Sequence, residues 1–468
     1  MSTPLYALDH RTVSAIAGPL LFVEDVRGVG LGEVLEVRGP DGTRRTGQVL
    51  ALEGERAVVQ VLQGSRGLDI EQTAVRFSSR SARLPVGPDL LGRVLDATGN
   101  PLDGGPPPLP VAYHDVHGRP LNPVARAHPS ECVETGLSAI DGLNTLVRGQ
   151  KLPIFSGFGL PADKLAARIA AQARVPGDQA GRFVVVFGAM GITRREMTVF
   201  QRHLARTGAL ERSVLFINRA EDPSLERLLL PRAVLTTAEY LAFEEGRHVL
   251  VLLTDMTHYC EALREVASAR EEIPGRRGYP GYMYTDLATL YERAGRVQGR
   301  EGSVTQLIIL SMPDDDMTHP APDLTGYITE GQIVLSRELH GRGIDPPIDV
   351  LPCLSRLMNA GIGAGKTRED HRPVANQLYA LYARGRELRQ LAAIIGEAAL
   401  SPADKRALDF GETFERQYIH QGQERRSIEE TLDLAWRLLA PFARVELKRL
   451  PDALCERYLP KSASRSIS

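Results

Sequence analysis

Five largely apolar runs constrain this chain more than any other feature: 151–155, 183–187, 213–217, 248–253 and 304–310. Segments with helical spacing separate them. Strands that are apolar on both faces and alternate with helices belong in a largely parallel sheet covered on both sides. Ligands of such sheets bind beyond the carboxyl ends of the strands, so the turn after the first run is the place to look for chemistry. That turn reads Ser156-Gly157-Phe158-Gly159-Leu160-Pro161-Ala162-Asp163-Lys164, and Leu165–Ala171 then carries helical spacing. Strand, glycine-rich turn and helix is the order of a phosphate-binding loop. The working form ends Gly-Lys-Ser/Thr: backbone N–H groups cradle the phosphates, the lysine reaches the terminal ones and the hydroxyl ligates magnesium. Here Pro161 removes an N–H donor, Ala162 removes the cation, and Asp163 puts negative charge where a triphosphate would sit. Lys164 is out of register. The loop has the layout without the chemistry, so no nucleotide is expected on it.

A second candidate for that chemistry is easily found, because only six of the 56 basic residues are lysines and 50 are arginines. Ala360-Gly361-Ile362-Gly363-Ala364-Gly365-Lys366-Thr367 fits a relaxed phosphate-loop pattern with alanine in the first glycine position. A phosphate loop follows a buried strand and opens an apolar helix. Here Pro352–Met358 reads as a short helix, and Arg368-Glu369-Asp370-His371 follows, with Thr367 and Asp370 spaced like a helix start. The segment reads as a glycine-rich link between domains.

Residues 12–80 differ from the centre of the chain. Short β-rich runs at 20–23, 33–38, 48–52 and 57–62 are punctuated by turn residues such as Gly39-Pro40-Asp41-Gly42, which predicts a small closed or sandwich-like β domain. A strand, a turn and a stiff proline-rich connector occupy 91–108. From about 355 the pattern is helical, with helices expected over 374–396, 402–420 and 427–440. Ser401 with Asp404 and Ser427 with Glu430 have capping-box spacing. Lys461–Ser468 reads as a disordered tail. The fold expected from these patterns is α/β multidomain: a small β domain, a central α/β domain with a degenerate phosphate loop, and a helical C-terminal part.

A formal net charge of -2 gives no global reason to expect nucleic-acid binding. Cys132, Cys260, Cys353 and Cys455 are far apart in sequence and read as buried free thiols in a reducing cytoplasm rather than disulfides or a metal site. The start of the chain lacks the long apolar run of a signal peptide. The apolar runs fall short of the roughly 20 residues a bilayer span needs, so any membrane link is expected to go through other proteins.

Three stretches together are highly specific: Glu271–Gly295, built around Pro274-Gly275-Arg276-Arg277-Gly278-Tyr279-Pro280-Gly281; Met312–Gln332; and Pro346–Met358. They closely resemble the B subunit of the V/A-type rotary ATPases, and the likeness runs from the β domain to about residue 440; it implies an N-terminal small β-barrel over 1–75, a central RecA-like α/β domain over 76–355 and a C-terminal helical bundle over 356–468. That resemblance implies a non-catalytic, regulatory subunit that alternates with the catalytic A subunit, three of each, in a soluble ring around a central stalk and held by peripheral stalks. Such a ring would lie on the cytoplasmic face of the membrane, which it touches only through the complex, and couple ATP synthesis or hydrolysis to ion transport. The chain would have no cofactor of its own, because Mg-ATP or ADP at the A–B boundary is bound mainly by the A subunit. The resemblance aligns Ile192, in Gly191-Ile192-Thr193, with the glutamate that activates water in catalytic relatives. It places Asp255 where a magnesium-associated aspartate would be; with no loop hydroxyl beside it, Asp255 reads as structural or interfacial. It matches Arg356, in Leu354-Ser355-Arg356-Leu357-Met358, to an arginine finger acting in trans on the catalytic site of the A subunit. Taken without the resemblance, Arg356 is a helix-surface ion-pair residue. Arg276 and Arg277 would lie in a loop near the central stalk; with no aromatic stacking platform beside them, nucleic acid is not the expected partner. Two rival functions stand beside this one: a self-sufficient NTPase using Lys366, and an assembly scaffold with no trans-acting residue.

Overall fold

Inward-facing Leu35 and Val37 alternate with half-exposed residues along Glu33–Arg38, the period of a strand with one face on a core. The computed structural model describes residues 9–62, 64–177 and 181–460; the chain start 1–8 and the tail 461–468 lie outside them. Six antiparallel strands, β1 (Val13–Ala17), β2 (Leu20–Val23), β3 (Glu33–Arg38), β4 (Arg44–Glu53), β5 (Arg56–Val61) and β6 (Ala74–Ser81), are ordered β1-β2-β5-β4-β3-β6. His10, just before β1, exchanges both backbone hydrogen bonds with Val75 of β6, at 2.7 and 2.8 Å. This bridge draws the two ends of the sheet together in the expected barrel. Its valine- and leucine-rich core is separate from that of the rest of the chain.

Beyond the barrel lie β7 (Val94–Leu95), β8 (Lys151–Gly157), β9 (Phe183–Ile192), β10 (Ser213–Arg219), β11 (His248–Thr254), β12 (Ser303–Met312), β13 (Gly331–Val334) and β14 (Leu354–Ser355). They form a sheet ordered β14-β13-β8-β12-β11-β9-β10-β7, parallel along this path except for β14, and the short segment Gly295–Arg296 pairs antiparallel with β12 off the path. Every residue of β8 and β11 is buried, which is why these strands read as continuous apolar runs. Helices α1 (Ala162–Gln172), α2 (Arg194–Arg206), α3 (Ser224–Phe243) and α4 (Met256–Ala269) connect the strands. The turns entering α1, α2 and α4 therefore gather at the carboxyl rim of the sheet.

The C-terminal unit is helical: α5 (His371–Ile395), α6 (Pro402–Phe414) continuing as a π-helical turn through Ile419, α7 (Ile428–Leu439) and α8 (Asp452–Tyr458). Ser427 and Glu430 form the full capping box, and Ser401 accepts the Asp404 N–H. A polar seam binds this unit to the central sheet. The Asp345 carbonyl accepts the N–H groups of Gln421 and Gly422 at 2.7 and 3.0 Å. The fully buried Glu415 carboxylate takes Arg342 from the central side and Arg389 from α5. All four cysteines are free and buried.

One local expectation is corrected. Pro352–Met358 is not a short helix: Leu354–Ser355 is an edge strand paired antiparallel with Gly331–Gln332, and helix begins only at Met358. Burial of Ser355 between half-exposed or exposed neighbours gives the segment a period of two, and its backbone bonds go to the sheet rather than along a helix axis.

Candidate functional site

The turn after β8 has the expected strand, turn and helix order, with Gly159 at φ +81 and Pro161 as the N-cap of α1. Its polar groups are already engaged. Asp163 accepts a hydrogen bond from the Thr254 hydroxyl at 3.0 Å. Burial raises its pKa, Asp255 and Glu196 push it the same way, and the Thr254 bond opposes them. Arg337 closes the entrance of the turn: it donates to both oxygens of Asp315 at 2.9 Å and to the Phe158 carbonyl at 2.9 Å. A Cβ on Gly157 would collide with Asp315, so the glycine makes room for that carboxylate rather than for a ligand. Lys164 is exposed and turned to the other side, where it lines a cavity of about 260 Å³ with Arg168, His340 and Asp345.

Ile192 ends β9 and is buried, as an apolar side chain would be. Thr193 follows as the N-cap of α2. Glu196 is turned back onto that cap, accepting the Thr193 N–H at 2.7 Å and its hydroxyl at 2.8 Å. Asp255 has a comparable structural task. It accepts the Thr257 N–H at 2.8 Å as the N-cap of α4, and the Ser311 N–H at 3.0 and 3.1 Å across to β12. Backbone donors from two elements thus occupy this carboxylate.

The 360–367 segment starts inside the short helix Met358–Gly361 and lacks the buried strand that a phosphate loop requires. Its groups are spoken for. Lys366 Nζ donates to the Ala360 carbonyl at 2.5 Å, and the N–H groups of Lys366 and Thr367 both go to the Gly363 carbonyl. The Thr367 hydroxyl accepts from the Gly363 N–H at 3.0 Å and meets His371 Nδ1 at 3.0 Å. His371 Nε2 faces the Gly142 carbonyl at 3.1 Å, and a carbonyl only accepts, so Nε2 carries the proton and Thr367 donates to Nδ1. The segment is a folded joint between the sheet and the helical unit.

Three family domains match this architecture. The nucleotide-binding domain of the ATP synthase alpha/beta family matches residues 136–355, the β-barrel domain of that family matches 13–78, and the C-terminal domain of V and A type ATP synthases matches 360–459. A solved structure described as a unique ATP synthase subunit NeqB from Nanoarcheaum equitans is 39% identical, with 90% of this chain and 99% of that one covered, at a TM-score of 0.72. The chain belongs to the ATP synthase alpha/beta family. Within that family its C-terminal unit is of the V/A type, in agreement with a V/A-type B subunit.

Arg356 is where this family member turns a charge outwards. It follows β14 at the outer edge of the sheet and is exposed, and among the described residues its side chain meets no carboxylate and no hydrogen-bond partner. Its main chain is held: the Arg356 N–H donates to the Glu330 carbonyl at 3.0 Å. Gly331 has no Cβ because one would strike the Leu354 carbonyl, which lets β14 lie close against β13. Arg276 and Arg277, by contrast, are paired within the chain, with Asp323 at 3.0 Å and Asp316 at 2.9 Å. These pairs tie the 275–281 loop to the loop after β12 and to the helix Pro320–Ile328 that follows it.

Arg337 and Asp315 at the carboxyl rim, and Gln150 and Glu330 at the opposite, amino ends of β8 and β13, escaped sequence reading. The run Asp314-Asp315-Asp316 was the available signal for one of them. Asp314 and Asp315 both have positive φ, an uncommon backbone that short polar side chains tolerate.

Proposed function

We propose that this chain is the non-catalytic, regulatory member of a V/A-type ATP synthase or ATPase ring, alternating with a catalytic partner and supplying Arg356 in trans to that neighbour's nucleotide site. The observation that carries the reading is the contrast between Arg356 and the turn after β8. The turn does not fit a magnesium nucleotide: Pro161 lacks an N–H, Asp163 is acidic, the Arg337–Asp315 pair closes the entrance, and Ile192 cannot take a proton from water. Arg356 is exposed and unpaired on an anchored backbone. A planar, permanently charged guanidinium suits the equatorial oxygens of a transferring phosphoryl group. Nucleotide at the boundary would thus be bound mainly by the catalytic partner. Attachment to the membrane through the rest of the complex, on its cytoplasmic face, is part of the same proposal; no helix among the described residues is long and apolar enough to cross a membrane.

The test is ATP turnover by the assembled complex carrying Arg356→Ala, with assembly checked by gel filtration. The reading requires an intact ring and a loss of about 10³–10⁵ in rate. An intact ring turning over within about fivefold of wild type, a barrier change of less than about 1 kcal/mol, would sink it and leave an assembly scaffold as the better account.

A further inference from the structure

We propose that Gln150 is a positioning residue for Arg356, acting through Ser355 and the Glu330 carbonyl; this rests on Arg356 being the group that acts in trans. Gln150 lies immediately before β8 and is fully buried. Its Nε2 donates to the Ser355 Oγ at 3.0 Å and to the Glu330 carbonyl at 3.1 Å, and Oε1 accepts the Val147 N–H at 2.9 Å. Ser355, itself buried, donates its own proton to the Thr145 carbonyl at 2.9 Å. The Glu330 carbonyl that Gln150 holds is the one that accepts the Arg356 N–H. One side chain therefore fixes the residue before Arg356 and the acceptor of the Arg356 main chain.

The frame around this amide is stiff. Glu330 is held from its other end, its carboxylate accepting the Lys151 N–H at 2.9 Å and lying 3.2 Å from Lys151 Nζ. The Gln150 carbonyl accepts the Gln306 N–H at 2.8 Å from β12, and the neighbouring Gly149 N–H donates to the Thr305 hydroxyl at 2.9 Å. A helix or strand places a group more accurately than a free loop does, and a displacement of about 1 Å at a reacting centre can cost about 10²-fold in rate. Without the amide, β14 keeps its two-residue pairing with β13 and the Ser355 bond to the Thr145 carbonyl, but the Ser355 hydroxyl and the Glu330 carbonyl both lose the donor that links them. The Arg356 Cα is then free to shift relative to the boundary.

The test is a double-mutant cycle in the assembled complex, with ATP turnover followed by labelled phosphate release. Gln150→Leu, close in shape but without hydrogen-bonding atoms, should lower kcat about ten- to a hundredfold and leave KM within about twofold. On an Arg356→Ala background the same change should cost less than about twofold more, because there is no guanidinium left to misplace. Equal losses on both backgrounds, or no loss on either, would overturn the positioning role. Should Gln150→Leu fail to assemble, Ser355→Ala enters the same cycle with the same expected coupling and the same overturning result. The two readings fail separately. A crippled Arg356→Ala complex with no coupling refutes the role of Gln150 alone, whereas an Arg356→Ala complex within about fivefold of wild type refutes the trans-acting arginine and the positioning role with it.

Discussion

Arg337 Nε and Nη2 each donate at 2.9 Å to the carboxylate of Asp315, and Nη2 reaches on to the Phe158 carbonyl. This pair lies on the turn after β8, at the place where a phosphate-binding loop would receive its ligand. Asp315 is held below the usual carboxylate range by its hydrogen bonds and charge contact with Arg337, so the pair persists as an ion pair at neutral pH. Both side chains are about half exposed, so water screens the pair and it adds little to stability. Its importance lies in occupying space and directing charge.

Rebuilding the loop letters is therefore insufficient. Pro161→Gly with Ala162→Lys and Asp163→Thr restores a donor, a cation and a hydroxyl, but Ile192 still offers no base and Arg337–Asp315 still closes the entrance. The triple variant should bind Mg-ATP no tighter than about 1 mM, roughly -4 kcal/mol, with no turnover. Calorimetry on the isolated variant checks the first part and phosphate release the second. A micromolar Kd would show that the pair yields to ligand, and multiple turnovers would show that the base lies elsewhere.

How much of this was legible before folding follows from the range of each interaction. The order of strand, turn and helix at 151–172 was legible because burial on both faces leaves a continuous apolar run, and the missing lysine and hydroxyl are simple absences of letters. Ser427 with Glu430 was legible because a capping box closes within three residues. Arg337 and Asp315 were not, because they come from the ends of β13 and β12, which flank β8, and carry no mark separating them from other arginines and aspartates. The strand at Leu354–Ser355 was misread because two residues are too few to show a period, and the apolar letters around them suit a helix equally. Only the partner strand at Gly331–Gln332 decides between the two.

The glycine-rich joint at 360–367 yields the second prediction. Since Lys366 Nζ is spent on the Ala360 carbonyl and Thr367 on His371, the isolated chain should neither hydrolyse ATP nor bind it at micromolar concentration. Lys366→Ala should change only stability, by about 1 kcal/mol or less for one exposed hydrogen bond. Urea unfolding and calorimetry on the pair of proteins check both. Micromolar binding that disappears on Lys366→Ala would revive the rival NTPase.

His371 makes the joint sensitive to acid. Burial lowers its pKa to about 4 from an ordinary value of 6.5, outweighing the Gly142 carbonyl, which favours the proton. A histidine kept neutral in the folded state favours folding fully above its unfolded pKa. As pH falls from 6.5 towards 4 the unfolded chain takes up a proton that the folded one refuses, and stability declines by at most about 1.4 kcal/mol per pH unit. His371→Gln removes the titrating group, so its urea stability should lose that component of the acid slope, whatever its stability at neutral pH. Parallel pH profiles for wild type and variant across that window would show that His371 does not stay neutral.

The exposed arginine gives the sharpest chemical prediction, Arg356→Lys. A surface ion-pair residue tolerates this change, because an ammonium group replaces the charge and such a pair is worth about 1 kcal/mol at most. A group that must place two N–H donors on the oxygens of a transferring phosphoryl does not, because lysine offers a strongly hydrated point charge on a flexible stem. The Arg356 backbone is fixed through Glu330 and Ser355, so the shorter lysine cannot recover reach by local movement. Arg356→Lys in the assembled complex should accordingly fall within about tenfold of Arg356→Ala in kcat, with ring assembly unchanged by gel filtration. If lysine restores turnover to within about fivefold of wild type, charge alone suffices and the fork geometry of the guanidinium has no part in the reaction.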